Sequence, residues 1–316
     1  MTDTVARRVR AEPGAGPETP VERAADTSGY YGKPIVRPHI WKDAIGWYFF
    51  TGGLAGASSV LAEVAELTGR RRLAVHARRA AVAGLLPSPV LLIVDLGRPK
   101  RFHHMLRVLR PSSPMSVGSW LLMAYSPLSG GAWILDELGA LPRLRRALGA
   151  GAALVGPSIA TYTAVLVADT ATPAWYEARR ELPFVFAGSA TASAGAASGL
   201  LASVDGRLEP LAARVAVLGA VGEVVAAGVM KRRLGPLDTY DSPEAAPYAH
   251  AATALSVAGA VATAASLVTP RGRRLLSALG SLAILGGSIC ERFAVVRAGT
   301  ASAADPDSVL LQQRRA

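Results

Sequence analysis

The sequence predicts an all-α, polytopic membrane protein with eight transmembrane helices. Three observations lead there. About eight separate apolar stretches are each long enough to cross a ~30 Å hydrocarbon core, which takes roughly 17–25 helical residues. These stretches are apolar on all faces, whereas a helix packed on a soluble core keeps a polar face. Apolar residues make up 51% of the chain and mean hydropathy is +0.30, although each end of the chain is a polar tail. Lipid offers no partner to an open strand edge, so such runs must be helical.

The stretches in order are Ala44–Ala65, Ala80–Leu96, Met115–Leu135, Gly149–Ala168, Phe184–Val204, Leu211–Met230, Ala249–Val268 and Leu275–Val296. Small residues from Gly52 to Ser59 give the first a face that a neighbouring helix can approach closely. Pro87 and Pro89 kink the second. The fourth ends at Asp169 on the side of the chain termini. The fifth repeats the small-residue texture of the first, through Gly188-Ser189-Ala190 and Gly195 to Gly199, which suggests two four-helix halves. Glu223 sits near the middle of the sixth, His250 at the start of the seventh, and Cys290, Glu291 and Arg292 within the eighth. Residues 1–38 read as a polar tail, disordered at its start, 39–299 as the membrane domain, and 300–316 as a polar C-terminal tail. No continuous apolar segment precedes Trp41, so no cleavable signal peptide is expected; Arg7–Arg8 reads as tail charge.

A net charge of +11 suggests nucleic acid, but the arginines lie between apolar stretches, where membrane proteins carry topological charge. No aromatic residues interleave with them to stack bases. One cysteine, Cys290, can neither ligate an iron–sulfur cluster nor close an internal disulfide. No two helix-borne histidines share a depth, which argues against a bis-histidine haem; no metal, haem or cluster is expected in this chain. Eight crossings put both termini on one side, the tail side, where the loops 97–114, 169–183 and 231–250 are long. Long loops on a rigid scaffold are where partners and ligands bind. Lysine and arginine number 19 on the tail side and 13 opposite, but 12 against 13 without the N-terminal tail. Orientation therefore stays undetermined.

Charges deep in lipid are paired or functional. Glu223 and Arg292 read either as a helix-locking pair or, with Glu291, as a proton relay. Trp47, Tyr48, Tyr125 and Tyr162 read either as interfacial belt residues or as the lining of a ligand pocket.

Several segments resemble one known family. They are Tyr31-Gly32-Lys33-Pro34 with Trp41-Lys42 and the run from Trp47 to Gly56; Asp95-Leu96-Gly97-Arg98-Pro99-Lys100-Arg101-Phe102 leading to Ser113-Pro114-Met115-Ser116; Thr161-Tyr162-Thr163 through Asp169 to Trp175 and Glu181-Leu182-Pro183-Phe184; and Glu291-Arg292-Phe293 with Arg297-Ala298-Gly299 and Asp305-Pro306. The chain is similar to the NrfD-like, polysulfide-reductase membrane subunits, the integral anchors of molybdoenzyme complexes. That resemblance implies two four-helix bundles and a quinone site. It also implies a four-cluster, ferredoxin-like iron–sulfur partner, with a molybdopterin oxidoreductase subunit beyond it. Family members place a histidine on the first helix against the quinone; here Tyr48 stands in that place, and a phenol also donates to a quinone oxygen.

On this reading the quinone-binding candidates are Trp47, Tyr48, Asp95, His104, Tyr162 and Asp169, with Asp95 and Asp169 exchanging protons locally. Glu223, Glu291 and Arg292 are the deeper relay candidates. Arg98, Arg101, Trp175 and Glu177 are the candidates for docking the partner. Ala-, Arg- and Gly-rich usage suggests a GC-rich bacterium, hence a bacterial plasma membrane and menaquinone. Two other readings stand beside this one. A secondary transporter would place its site at broken helices near the midplane; only the second stretch reads as having prolines at depth, with no counterpart in the other half. A passive anchor would tether an enzyme without quinone chemistry.

Overall fold

A computed structural model describes residues 43–95 and 99–315. The Tyr31–Pro34, Trp41–Lys42 and Leu96–Arg98 parts of the resemblance, and the N-terminal tail, lie outside the described residues. Within them the chain is all-helical, with no strand.

Helix α1 spans Asp43–Leu67, α2 Arg71–Leu85 and α3 Pro87–Asp95. A 3-10 helix, Pro99–Leu106, leads to α4 (Pro114–Glu137) and α5 (Pro142–Ala168). The short α6 (Pro173–Glu177) precedes α7 (Leu182–Val204), α8 (Pro210–Leu234), α9 (Ala246–Val268), α10 (Arg273–Ala304) and α11 (Pro306–Arg315). Proline in the first turn opens most of these, where its missing N–H costs no intrahelical bond.

Among the described residues, six segments are long and apolar enough to cross a membrane: Arg71–Asp95 (α2 with α3), α5, α7, α8, α9 and α10. The expected eight are not all of that kind. Helices α1 and α4 have 25 and 24 residues but dilute their apolar character, α1 with glycine, serine, Glu63 and Glu66, and α4 with four serines. The second stretch also starts earlier than expected, at Arg71, because Arg71, Arg72, Arg78 and Arg79 are helical. It then breaks at Leu86, where Pro87 and Pro89 cannot continue the backbone ladder. Prolines at depth are not confined to it: Pro127 lies inside α4 and Pro157 inside α5. In α5 the Thr161 hydroxyl donates to the carbonyl of Pro157 at 2.8 Å. The polar C-terminal segment is largely helical over its described residues. Helix α10 continues to Ala304, and α11 buries Ser308 and Val309.

Helices α1 and α7 are the hubs, α1 packing on α2, α3, α5, α7 and α10 and α7 also on α2, α5, α8 and α10, while α9 pairs with α10. Glycine sets the closest approaches. A Cβ on Gly56 of α1 would overlap the carbonyl oxygen of Gly156 on α5, so only glycine lets these backbones meet. At one end of the helices Asp43, which starts α1, accepts from Arg297 near the end of α10 at 2.6 Å. This is the tail-side end. Gly56→Val should therefore cost about 1–3 kcal/mol by overpacking, read as a lower thermal midpoint of the detergent-solubilised protein. Gly130→Val, with nothing within 4 Å of the added Cβ, should leave the midpoint unchanged; equal shifts would contradict this account of the α1–α5 seam.

Candidate functional site

Three helices bring three of the sequence-derived candidates together at the tail-side end. Tyr48 comes from the second turn of α1, Asp95 from the last residue of α3 and Tyr162 from the second half of α5. With Ile45, Leu92, Met115, Ser119 and Leu166 they line one small chamber of about 20 Å³, enough for a single water. The rings of Tyr48 and Tyr162 meet edge to face, centroids 6.5 Å apart, and Tyr48 is fully buried. Tyr162 also fits against α4 at Gly118, where any side chain would run into its ring.

On the other side of Tyr162 a cleft of about 760 Å³ opens between α4 and α5. Its walls are apolar at Val117, Leu121 and Val165, and polar at Ser158, Thr161 and Asp169; Tyr176 and Arg179 stand among its lining. The Arg179 guanidinium lies 4.3 Å from the centre of the Tyr176 ring. Tyr162 thus separates the small chamber from a cleft of ligand size, since such sites usually measure about 300–1,000 Å³. Asp169 belongs to the cleft and not to the chamber.

The other quinone candidates lie elsewhere. Trp47 is 42% exposed and packs edge-on against Phe293 of α10 at 5.8 Å, because adjacent helical residues point about 100° apart. His104 lies on the 3-10 helix, in a separate cleft with Arg107 and Arg110. Among the docking candidates, Arg98 is outside the described residues and Arg101 lies on the 3-10 helix. Trp175 is buried: its indole N–H donates to the carbonyl of Val295 at 2.7 Å, and it fills the space left by Gly299. Its indole serves the packing of α6 on α10 and presents no surface to a partner. Glu177 accepts from Arg233 through its carbonyl oxygen, and its carboxylate is 3.9 Å from Arg179.

Deep in the second half, Glu223 of α8 and Glu291 and Arg292 of α10 are buried together with serines of α7 and α9. The Ser256 hydroxyl donates to Glu223 at 3.4 Å. Arg292 donates to the carbonyl of Phe186 at 3.0 Å and stacks 3.7 Å over its ring. No ion pair within 4.0 Å joins Arg292 to a carboxylate among the described residues. The helix-locking pair is thus not what the geometry shows. Glu223 Oε1, Glu291 Oε1 and Arg292 Nε and Nη1 have no protein partner. Buried polar groups without protein partners are where ordered water binds.

One cluster was not legible in the sequence. At the opposite end, Glu66 of α1 accepts two bonds from Arg145 of α5, at 2.9 and 2.8 Å. Arg78 of α2 bridges Glu66 at 2.8 Å and Asp136 of α4 at 2.9 Å; Arg71 also binds Asp136. Four helices are joined by charge. Hydrogen bonding from Arg145, with Arg78 adding to it against the opposing effect of burial, holds the Glu66 carboxyl down at about 2. Burial pushes Asp136 up, but Arg71 and Arg78 outweigh it and its carboxyl is also lowered. Partners so far apart in sequence leave no spacing motif; the only signal is acidic residues at helix ends facing arginine-rich turns.

Residues 36–304 match the family model described as polysulphide reductase, NrfD, a span that takes in every helix from α1 to α10. No curated protein matches the chain.

Because Glu66 sits below its usual value of 4.5, the stability it contributes is complete above that pH and lost as pH falls towards 2. Arg145→Leu should destabilise the protein near neutral pH by an amount at the lower end of about 3–5 kcal/mol, since Arg78 still faces the carboxylate. It should also weaken the acid dependence between pH 4.5 and 2. Thermal unfolding across pH measures both; an unchanged midpoint and acid profile would show that the cluster carries no weight.

Proposed function

We infer the role of this chain from one premise: it belongs to the polysulphide reductase NrfD family. Its long apolar helices make it a multi-pass membrane protein, suited to anchoring a redox complex. We propose that α1 and α4 cross the bilayer with the six more apolar segments, giving eight crossings in two groups, α1–α5 and α7–α10. We further propose that the chain exchanges electrons between a membrane quinone and a ferredoxin-like iron–sulfur subunit. Menaquinone in a bacterial plasma membrane suits the composition, and a molybdopterin subunit would act beyond the clusters.

One observation carries this reading. Tyr48, Asp95 and Tyr162 converge from three helices directly behind a cleft large enough for a quinone ring. The chamber itself is too small for the ring, so the cleft would hold it, with Val117, Leu121 and Val165 against its faces. When bound, a quinone supplies two-electron, two-proton redox chemistry. Tyr162, at the boundary, would donate a hydrogen bond to a ring oxygen. Tyr48 and Asp95, behind it, would hold or pass the proton. Asp169 on the cleft wall provides a second proton-exchange group nearer the surface. The buried carboxylates Glu223 and Glu291, each with one oxygen that has no protein partner, support a deeper relay, and Arg292 brings that cluster next to α1, beside Gly53.

In the purified complex, Tyr162→Phe should lower quinone-linked electron transfer about tenfold, the effect of one lost hydrogen bond, with subunit composition unchanged. Wild-type turnover in that variant would remove Tyr162 from the quinone site, whereas a wild-type complex without quinone-linked turnover would favour the passive anchor. Glu223→Gln should leave assembly intact and slow quinone turnover; normal turnover in that variant would remove Glu223 from the relay while leaving the cleft untouched.

A further inference from the structure

The 3-10 helix Pro99–Leu106 separates two clefts of opposite character. On one side Phe102, Met105 and Leu106 face Pro89, Leu92 and Ile93 of α3 and Leu122 and Met123 of α4 around an apolar cleft of about 230 Å³. The polar residues in its lining are Ser119 and Ser126, and both hydroxyls are spent within α4. Ser119 donates to the carbonyl of Met115 at 2.9 Å and Ser126 to that of Leu122 at 2.6 Å. On the other side His104, Arg107 and Arg110 line a cleft of about 690 Å³ with Val108, Ser113, Met115 and Ser116. Met105 lines both clefts, so they are neighbours across one side chain. Residues three apart in a 3-10 helix share a face, which puts Phe102 and Met105 together and His104 on another face.

The charge here is one-sided. No aspartate or glutamate occurs between Asp95 and Asp136, whereas Lys100, Arg101, Arg107 and Arg110 all do. No carboxylate among the described residues pairs with Arg107 or Arg110 within 4.0 Å. The cationic loop is held in place: the Arg110 N–H donates to the Ser116 hydroxyl at 3.0 Å, and that hydroxyl donates to the carbonyl of Val108 at 3.3 Å. Phe102, Val108 and Leu109 are exposed around it, as suits residues at a membrane interface.

We propose that this pair of clefts is a binding site for one anionic phospholipid. Its acyl chain lies in the apolar cleft between α3 and α4, and its phosphate lies against His104, Arg107 and Arg110. Neither cleft alone selects that ligand. The apolar one would take any hydrocarbon chain and the basic one any anion, but only an anionic amphiphile satisfies both, and basic pockets beside membrane helices commonly bind such headgroups. The proposal uses neither Tyr162 nor the cleft beyond it, although Leu92, Met115 and Ser119 also line the chamber behind Tyr162.

The test uses the full-length protein in detergent, with thermal midpoint and native mass spectrometry as readouts. Phosphatidylglycerol should raise the midpoint and remain bound at one per chain; phosphatidylcholine at the same concentration should do neither. Inorganic phosphate alone should have no effect, because it lacks the chain. The double variant Arg107→Gln with Arg110→Gln should weaken phosphatidylglycerol retention tenfold or more, each surface cation contributing to the attraction. Ile93→Trp, which fills the apolar cleft, should weaken it with both arginines in place. Equal binding of the two lipids, or the same stabilisation by inorganic phosphate, would overturn the proposal without any variant. Unchanged retention in the arginine variant would do so too, leaving the basic cleft as a surface for an acidic protein.

Discussion

The contact on which the rest depends is the approach of α1 to α5 at Gly56 and Gly156. These two backbones touch because neither residue has a side chain at the crossing. Everything along that seam follows from the spacing it imposes. Eight residues back along α1 stands Tyr48, and six residues on along α5 stands Tyr162; their rings meet. Ten residues on along α1 stands Glu66, and eleven back along α5 stands Arg145, which grips it with two bonds. Between these ends, Tyr125 of α4 donates to the carbonyl of Ala55 at 2.6 Å and shares a bond with Ser59. An aromatic pair, a glycine crossing and a charge clamp thus sit on one line, at the tail-side end, the centre and the opposite end.

This arrangement suits a chain in lipid, where apolar burial gives helices little reason to associate and close packing and internal polar bonds must hold them. It also explains why the opposite end of the first group is closed by arginines and carboxylates while the tail-side end is open. A charge cluster joining α1, α2, α4 and α5 fixes one end of those helices. The other end is free to form a cleft between α4 and α5 without loosening the group. The second half has a different interior: glycine and alanine bring α7 close to α8, and the polar groups at its centre stay incompletely paired.

Much of the fold was legible in the sequence because length, apolar runs and proline each act locally. The helices fall where the runs lie, and Pro87 breaks the second one. Apolar character marks α1 and α4 more weakly than the other six segments, because their glycines, serines and acids serve packing and pairing. Of the candidate site, Tyr48, Asp95 and Tyr162 could be named in advance but not shown to meet, since that requires three helix rotations. Trp47 illustrates the limit: one position from Tyr48, it faces Phe293 instead. His104 is nine residues from Asp95, yet the 3-10 helix carries it to another cleft. Trp175 reads as a surface aromatic on a loop, but Gly299 opens a buried seat for it. Contacts spanning 58 to 79 residues, such as those of Arg78 with Asp136 and Arg145 with Glu66, have no trace in local spacing.

The central claim is that a quinone is met at the cleft behind which Tyr48, Asp95 and Tyr162 converge. Photolabelling of the purified complex with a photoreactive menaquinone analogue tests it most directly. The account places the label on the walls of that cleft, on α4 between Val117 and Leu121 and on α5 between Ser158 and Val165, and excess quinone should abolish it. Labelling confined to other helices, or labelling that excess quinone leaves untouched, would contradict it.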